Sequence, residues 1–170
     1  LIPSFILENP SLLSKTPSLS KATFKLPQSQ KVAFGGVNDS AILQAEDEER
    51  FDHYRSLIRE EFAKKKSVFL CLHQNEAISQ AKQKLERGIE SFVFTFQKDM
   101  TKKNLKEEWK KACLTEHPIL IISTARWLFL PRSDLDTIII DKENENGWKT
   151  LSRPFIDLRF FAEKLANKKN

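Results

Sequence analysis

The chain has 170 residues, 40% of them hydrophobic, and a formal net charge of +5. That length suits one domain able to bury its own core, and the apolar content excludes wholesale disorder. The mild positive charge permits a polyanionic partner without requiring one, the two cysteines, Cys71 and Cys113, exclude a disulfide framework, and no run of about 18 apolar residues is long enough to span a membrane.

Residues 1–30 hold Pro3, Pro10, Pro17 and Pro27 among many serines and read as a linker or extended arm. The opening lacks a basic leader, so the chain is expected to be a cytoplasmic piece of a longer protein. Residues 31–170 read as one folded lobe. Residues 31–39 begin like a strand and turn at Gly35-Gly36, and "SAILQ" (40–44) is a short strand candidate. The spacing of Phe51, Tyr54, Leu57, Ile58, Glu61 and Phe62 predicts a helix over 45–66, with acids at its start and lysines at its end to complement the helix dipole. A strand is predicted at 67–72, a helix at 75–88 ending at Gly88, a strand at 90–96, and a helix at 101–116 with Leu105, Trp109 and Ala112 inward. Strands at 118–124 and 137–141 and a helix at 154–168 complete the series. Continuous apolar strands alternating with helices indicate an α/β fold with a mostly parallel sheet covered on both faces. Ligands of such sheets bind beyond the carboxyl ends of the strands, where Asp141 stands.

Three stretches carry a family resemblance: "KKKSVFLCLHQNEAISQ" (64–80), "LKEEWKKACLTEHPILIISTARWLFLP" (105–131) and "LDTIIIDKENENGWK" (135–149), continued by "RPFIDLRFFAEKLA" (153–166). In this order they resemble the first helicase lobe of the primosomal protein N′ family, which restarts DNA replication. The resemblance implies a three-layer RecA-like domain of the P-loop NTPase type. It further implies branched or forked DNA and other replication-restart proteins as partners, with ATP and magnesium as the family's cofactors.

Two departures bear on those cofactors. The family's phosphate loop, GVTGSGKT, falls on 44–51, "QAEDEERF", so the cofactor-binding positions are Asp47, Glu48, Glu49, Arg50 and Phe51. A phosphate loop needs glycines for its backbone cradle, a Lys for charge and a Ser or Thr for magnesium. This stretch has no glycine, and its acids repel a triphosphate. In the second departure, Asp141 matches the magnesium-linked carboxylate, but Lys142 replaces the Glu that orients water, leaving Glu143 as the nearest acid. A lysine there has the wrong charge and accepts no proton from water at neutral pH. The expected chain is therefore a helicase-type lobe without ATP hydrolysis, without a resident metal and without a cofactor.

The expected nucleic-acid contacts are Thr124, Arg126, Trp127, Arg132 and Lys149, on loops at the ligand edge. Trp127 suits either base stacking or packing on the neighbouring helix, and Trp148, matching a family Tyr, suits packing. Lys98, Lys102, Lys103, Lys106, Lys110 and Lys111 form the densest basic surface, which suits a solvated face. The competing reading is a catalytically inert protein-interaction scaffold with no nucleic-acid contact. A metal-dependent nuclease using Asp136, Asp141 and Glu143 is disfavoured, because an extended strand separates Asp136 from Asp141 by about 16 Å.

Overall fold

Each of the four longer apolar runs becomes a strand, and all four pair in parallel. The computed structural model describes residues 2–3, 40–150, 153 and 155–168. The elements are β1 (Ile2–Pro3), β2 (Ser40–Ala41), α1 (Asp47–Ala63), β3 (Ser67–Leu72), α2 (Glu76–Leu85), β4 (Val93–Phe96), α3 (Lys102–Leu114), β5 (Leu120–Thr124), β6 (Leu135–Ile140) and α4 (Leu158–Lys168). The main sheet has the order β4-β5-β3-β6, and β1 pairs in parallel with β2 in a separate two-stranded ladder. The arm expected over 1–30 lies outside the described residues apart from Ile2–Pro3, as does the Gly35-Gly36 turn.

Period-two alternation divides the strand side chains between two cores. Val68, Leu70, Leu72, Leu120, Ile122 and Ile139 pack against α1 and α2 through Phe51, Tyr54, Ile58, Ile78, Ala81 and Leu85. Phe69, Cys71, Phe94, Phe96, Ile121, Ile138 and Ile140 face α3 and α4 through Ala112, Leu105, Trp109, Ala162 and Leu158. Burial on both faces explains why β3 is apolar at nearly every position: all six of its residues are buried. Burial also pushes the Cys71 thiol well above its ordinary range, which keeps it inert.

Several expected boundaries shift: the strand expected over 90–96 begins at Val93 after a 3-10 turn, and the helix expected to end at Gly88 ends at Leu85. The strand expected over 40–44 is Ser40–Ala41, paired with β1, and residues 42–44 are not strand. The strand expected over 137–141 is Leu135–Ile140, because Ser67 already pairs with Leu135. The helix expected from 154 begins at Leu158. Before it, Lys149 bridges Asp157 and the Ile156 amide donates to Thr150 Oγ1 at 2.7 Å.

Arg132, expected as a nucleic-acid contact, is buried between α3 and the start of β6. Its guanidinium donates to the carbonyls of Ala112 (2.5 Å), Thr115 (2.8 Å) and His117 (3.2 Å), and to Asp134 Oδ2 at 2.6 Å. It thereby satisfies carbonyls at the carboxyl end of α3 that have no partner within the helix. Burial pushes Asp134 up, but hydrogen bonds from Arg132 and Ser67 outweigh it and hold the carboxyl below its usual range. The stability this gives is present above the ordinary aspartate value and is lost as pH falls through the lowered folded value. Arg132→Ala is expected to cost about 3 kcal/mol, the upper end for a charged hydrogen-bonding group, read as a lower urea midpoint.

Candidate functional site

Strand alternation decides where Asp141 points. Ile139 faces the α1 side, so Asp141, two residues on, faces it too. Asp141 is only 4% exposed. On α1, Arg50 and Tyr54 are one turn apart and both point inward. Arg50 Nε donates to Asp141 Oδ1 at 2.7 Å, and the Tyr54 hydroxyl donates to the same oxygen at 3.0 Å. The other end of the guanidinium donates to Asp47 Oδ1 at 2.8 Å, and Lys142 Nζ lies 3.6 Å from that oxygen.

Two carboxylates and two cations thus alternate across the gap between α1 and β6. Burial works against the Arg50 charge, but Asp141 and Asp47 outweigh it and hold the guanidinium above its ordinary range. The hydrogen bond from Arg50 holds Asp47 below the usual carboxylate range. A metal ion at Asp141 would have to displace a guanidinium already seated there. Among the described residues no three His, Cys, Asp or Glu side chains converge on a metal position.

The phosphate-loop positions do not form a loop. Glu46 is the N-cap of α1, and Asp47, Glu48 and Glu49 make its acidic first turn, while Phe51 is buried with Lys84 Nζ 4.5 Å from its ring centre. The helix start therefore presents carboxylates where an anion would otherwise meet free N–H groups. Lys142 has φ +51°, the left-handed region. Its carbonyl accepts from the Trp148 indole at 2.8 Å and from the Glu145 amide at 3.0 Å, which secures the turn. Trp148 is fully buried, as packing requires. The Glu143 carbonyl accepts from Arg159 at 2.6 Å. Asp136 lies near the opposite end of β6, 3.5 Å from Lys66, so the three nuclease candidates do not meet.

A second feature lies on the same sheet edge. β3 and β5 are neighbours, yet the chain leaves them in opposite directions and over opposite faces. After β3 it runs through α2 to β4; after β5 it runs over the α3 face to β6. Such a switch point opens a crevice at the carboxyl ends of the strands. Here it is a cleft of about 660 Å³. His73, Gln74 and Asn75 after β3 form part of its wall, and Gln97 and Lys98 after β4 form another. Thr124, Arg126, Trp127 and Phe129 come from the end of β5 and beyond, Lys102 and Leu105 from α3, and Gly147 and Lys149 from the turn after β6.

Of the five expected nucleic-acid contacts, the cleft gathers Thr124, Arg126, Trp127 and Lys149; Arg132 is elsewhere. It adds Lys98, Lys102 and Phe129, and no Asp or Glu is among the described residues that line it. Lys98, Lys102 and Arg126 have no carboxylate within ion-pair distance among the described residues. Gly147 closes the cleft floor by lying directly on the β3 exit loop, where an added Cβ would be 2.7 Å from the His73 carbonyl oxygen. Gly147→Ala is therefore expected to push the two loops apart, read as a melting midpoint lowered by several degrees.

Sequence reasoning placed Tyr54 only on the inward face of the first helix, gave Phe129 no role, and treated Lys98 and Lys102 as solvated charge. A detectable signal existed for Arg50: positions 50, 54, 58 and 61 share one helix face, so a cation at 50 points into the core. Comparison of the chain with protein-family models and with curated proteins finds no match. Among the described residues no helix is long and apolar enough to cross a membrane.

Proposed function

We propose that this chain is a RecA-like, three-layer helicase-type lobe that binds branched or forked DNA in a replication-restart setting, alongside other restart proteins, without hydrolysing ATP. The observation that carries the proposal is the cleft at the β3/β5 switch point. It combines cations and an aromatic wall, without acids among its described lining residues, at the edge where parallel α/β sheets bind ligands. The internal Arg50–Asp141 pair supports the loss of hydrolysis, because the carboxylate that would hold magnesium is already neutralised. The test is equilibrium binding of labelled forked DNA and of plain duplex at low salt. Tighter binding of the fork supports the reading, and absence of binding to either overturns it.

Nucleotide is expected to leave stability unchanged. A ligand at ten times its Kd adds about 1.4 kcal/mol, or roughly 3–6 °C in Tm for a chain of this size. Millimolar magnesium-ATP is expected to give no such shift, and a shift of that size would mean that the acidic start of α1 still admits a triphosphate.

One observation favours a protein-interaction scaffold instead. Phe155, Ile156, Phe160 and Phe161 are 71, 42, 57 and 39% exposed, on α4 and just before it. Grouped exposed apolar residues mark association surfaces. That reading takes over if the chain binds no forked DNA and Phe155→Ser with Phe160→Ser abolishes an association that the unmodified chain makes.

A further inference from the structure

Beside the cleft, over α3, four aromatic rings gather. Phe96 is fully buried and forms the base. Trp127 stacks on it with ring centres 5.7 Å apart, and Trp109 tilts against it at 5.6 Å. Phe129 then lies 6.0 Å from Trp127 at an interplanar angle of 25°, and 5.2 Å from Trp109. Packing alone explains the first three rings. It does not explain Phe129, which holds a ring orientation close to that of Trp127 while 60% exposed.

The two tryptophans and Phe129 line a shallow hollow of about 390 Å³ with Leu105, Lys102 and Lys106. This hollow is continuous with the cleft, sharing Lys102, Leu105, Trp127 and Phe129. Together the two concavities carry Lys98, Lys102, Lys106, Arg126 and Lys149, with no carboxylate among the described residues that line them. An aromatic surface bordered by cations fits a ligand with a flat π-face and negative charges close on either side.

We propose that the hollow is a stacking subsite for an unpaired base of single-stranded DNA, with the adjoining phosphates on Lys102 and Lys106. This rests on the DNA-binding reading and deepens it by naming the part of a branched substrate that is read. A paired base offers its faces only to its neighbours in the duplex, so the hollow selects single strand. The cations alone would serve either form. Base-on-aromatic stacking is also tolerant of sequence, since every base has a π-face.

The experiment compares a labelled oligo-dT strand with a duplex of equal length, using the whole chain and Phe129→Ala. Phe129 is largely exposed, so the variant is expected to fold, checked by its Tm. The ratio of single-strand to duplex affinity is expected to fall by roughly 5- to 150-fold in Phe129→Ala, and to be restored in Phe129→Trp. Trp127 and Trp109 fluorescence is expected to be quenched by oligo-dT and not by duplex. If the wild-type chain binds DNA but Phe129→Ala leaves the ratio unchanged, the stacking subsite is overturned while the DNA reading stands. If the wild-type chain binds neither form, both are overturned.

Discussion

Arg50→Ala is expected to destabilise the fold by about 3–5 kcal/mol, the usual cost of removing one partner from a buried ion pair. For a domain of this size that lowers Tm by roughly 6–20 °C. The reason lies in what remains. The Asp141 carboxylate stays 4% exposed at the end of β6, and of its two side-chain donors only the Tyr54 hydroxyl survives. Asp47 also loses the guanidinium and keeps only Lys142, 3.6 Å from its Oδ1. Replacing both partners by apolar residues, Arg50→Met with Asp141→Leu, is expected to cost much less than Arg50→Ala, because no charge is left stranded. Urea midpoints of the singles and the double close a mutant cycle that isolates the pair. If Arg50→Ala costs under about 1 kcal/mol, Asp141 is reached by water without Arg50. The claim that the position is closed to a metal ion would then fail.

The fold was largely legible because most of its elements obey local rules. The run 67–72 is apolar throughout and is a strand with those bounds, and Phe51, Tyr54 and Ile58 lie on the buried face of α1 as their spacing implies. What was not legible was which helix covers which strand end. Asp141 could be singled out as a carboxylate after a strand, and Arg50 as the cation nearest the phosphate-loop position. Their contact spans 91 residues and follows from α1 lying on the Ile139 face, which is a tertiary fact. Arg132 shows the same limit. By sequence it is a loop cation beside others, and only the packing of α3 against the start of β6 makes it a helix-end partner. Phe129 was hidden for the opposite reason, since an apolar residue in "LFLP" reads as core and its exposure depends on a turn.

Neutralising two of the cleft cations is expected to halve the salt dependence of DNA binding. Single-stranded DNA contributes a slope of about −0.7 in log affinity against log salt for each phosphate neutralised. Four simultaneous contacts, from Lys98, Lys102, Lys106 and Arg126, therefore predict a roughly 50-fold loss of affinity between 50 and 200 mM salt. Removing two of them by Lys98→Gln with Arg126→Gln leaves two contacts and a loss of only about sevenfold. A control separates a local site from general charge. Lys111 lies on the same helix as Lys102 and Lys106, but it is paired with Glu108 at 2.9 Å and lines neither concavity. Lys111→Gln changes net charge by the same amount per residue, yet it is expected to leave the slope as it was. If Lys111→Gln flattens the slope as much per charge removed as the cleft pair does, the DNA responds to the protein's overall field rather than to the cleft. If the cleft pair leaves the slope untouched, the phosphates are held elsewhere and the β3/β5 crevice is not the interface.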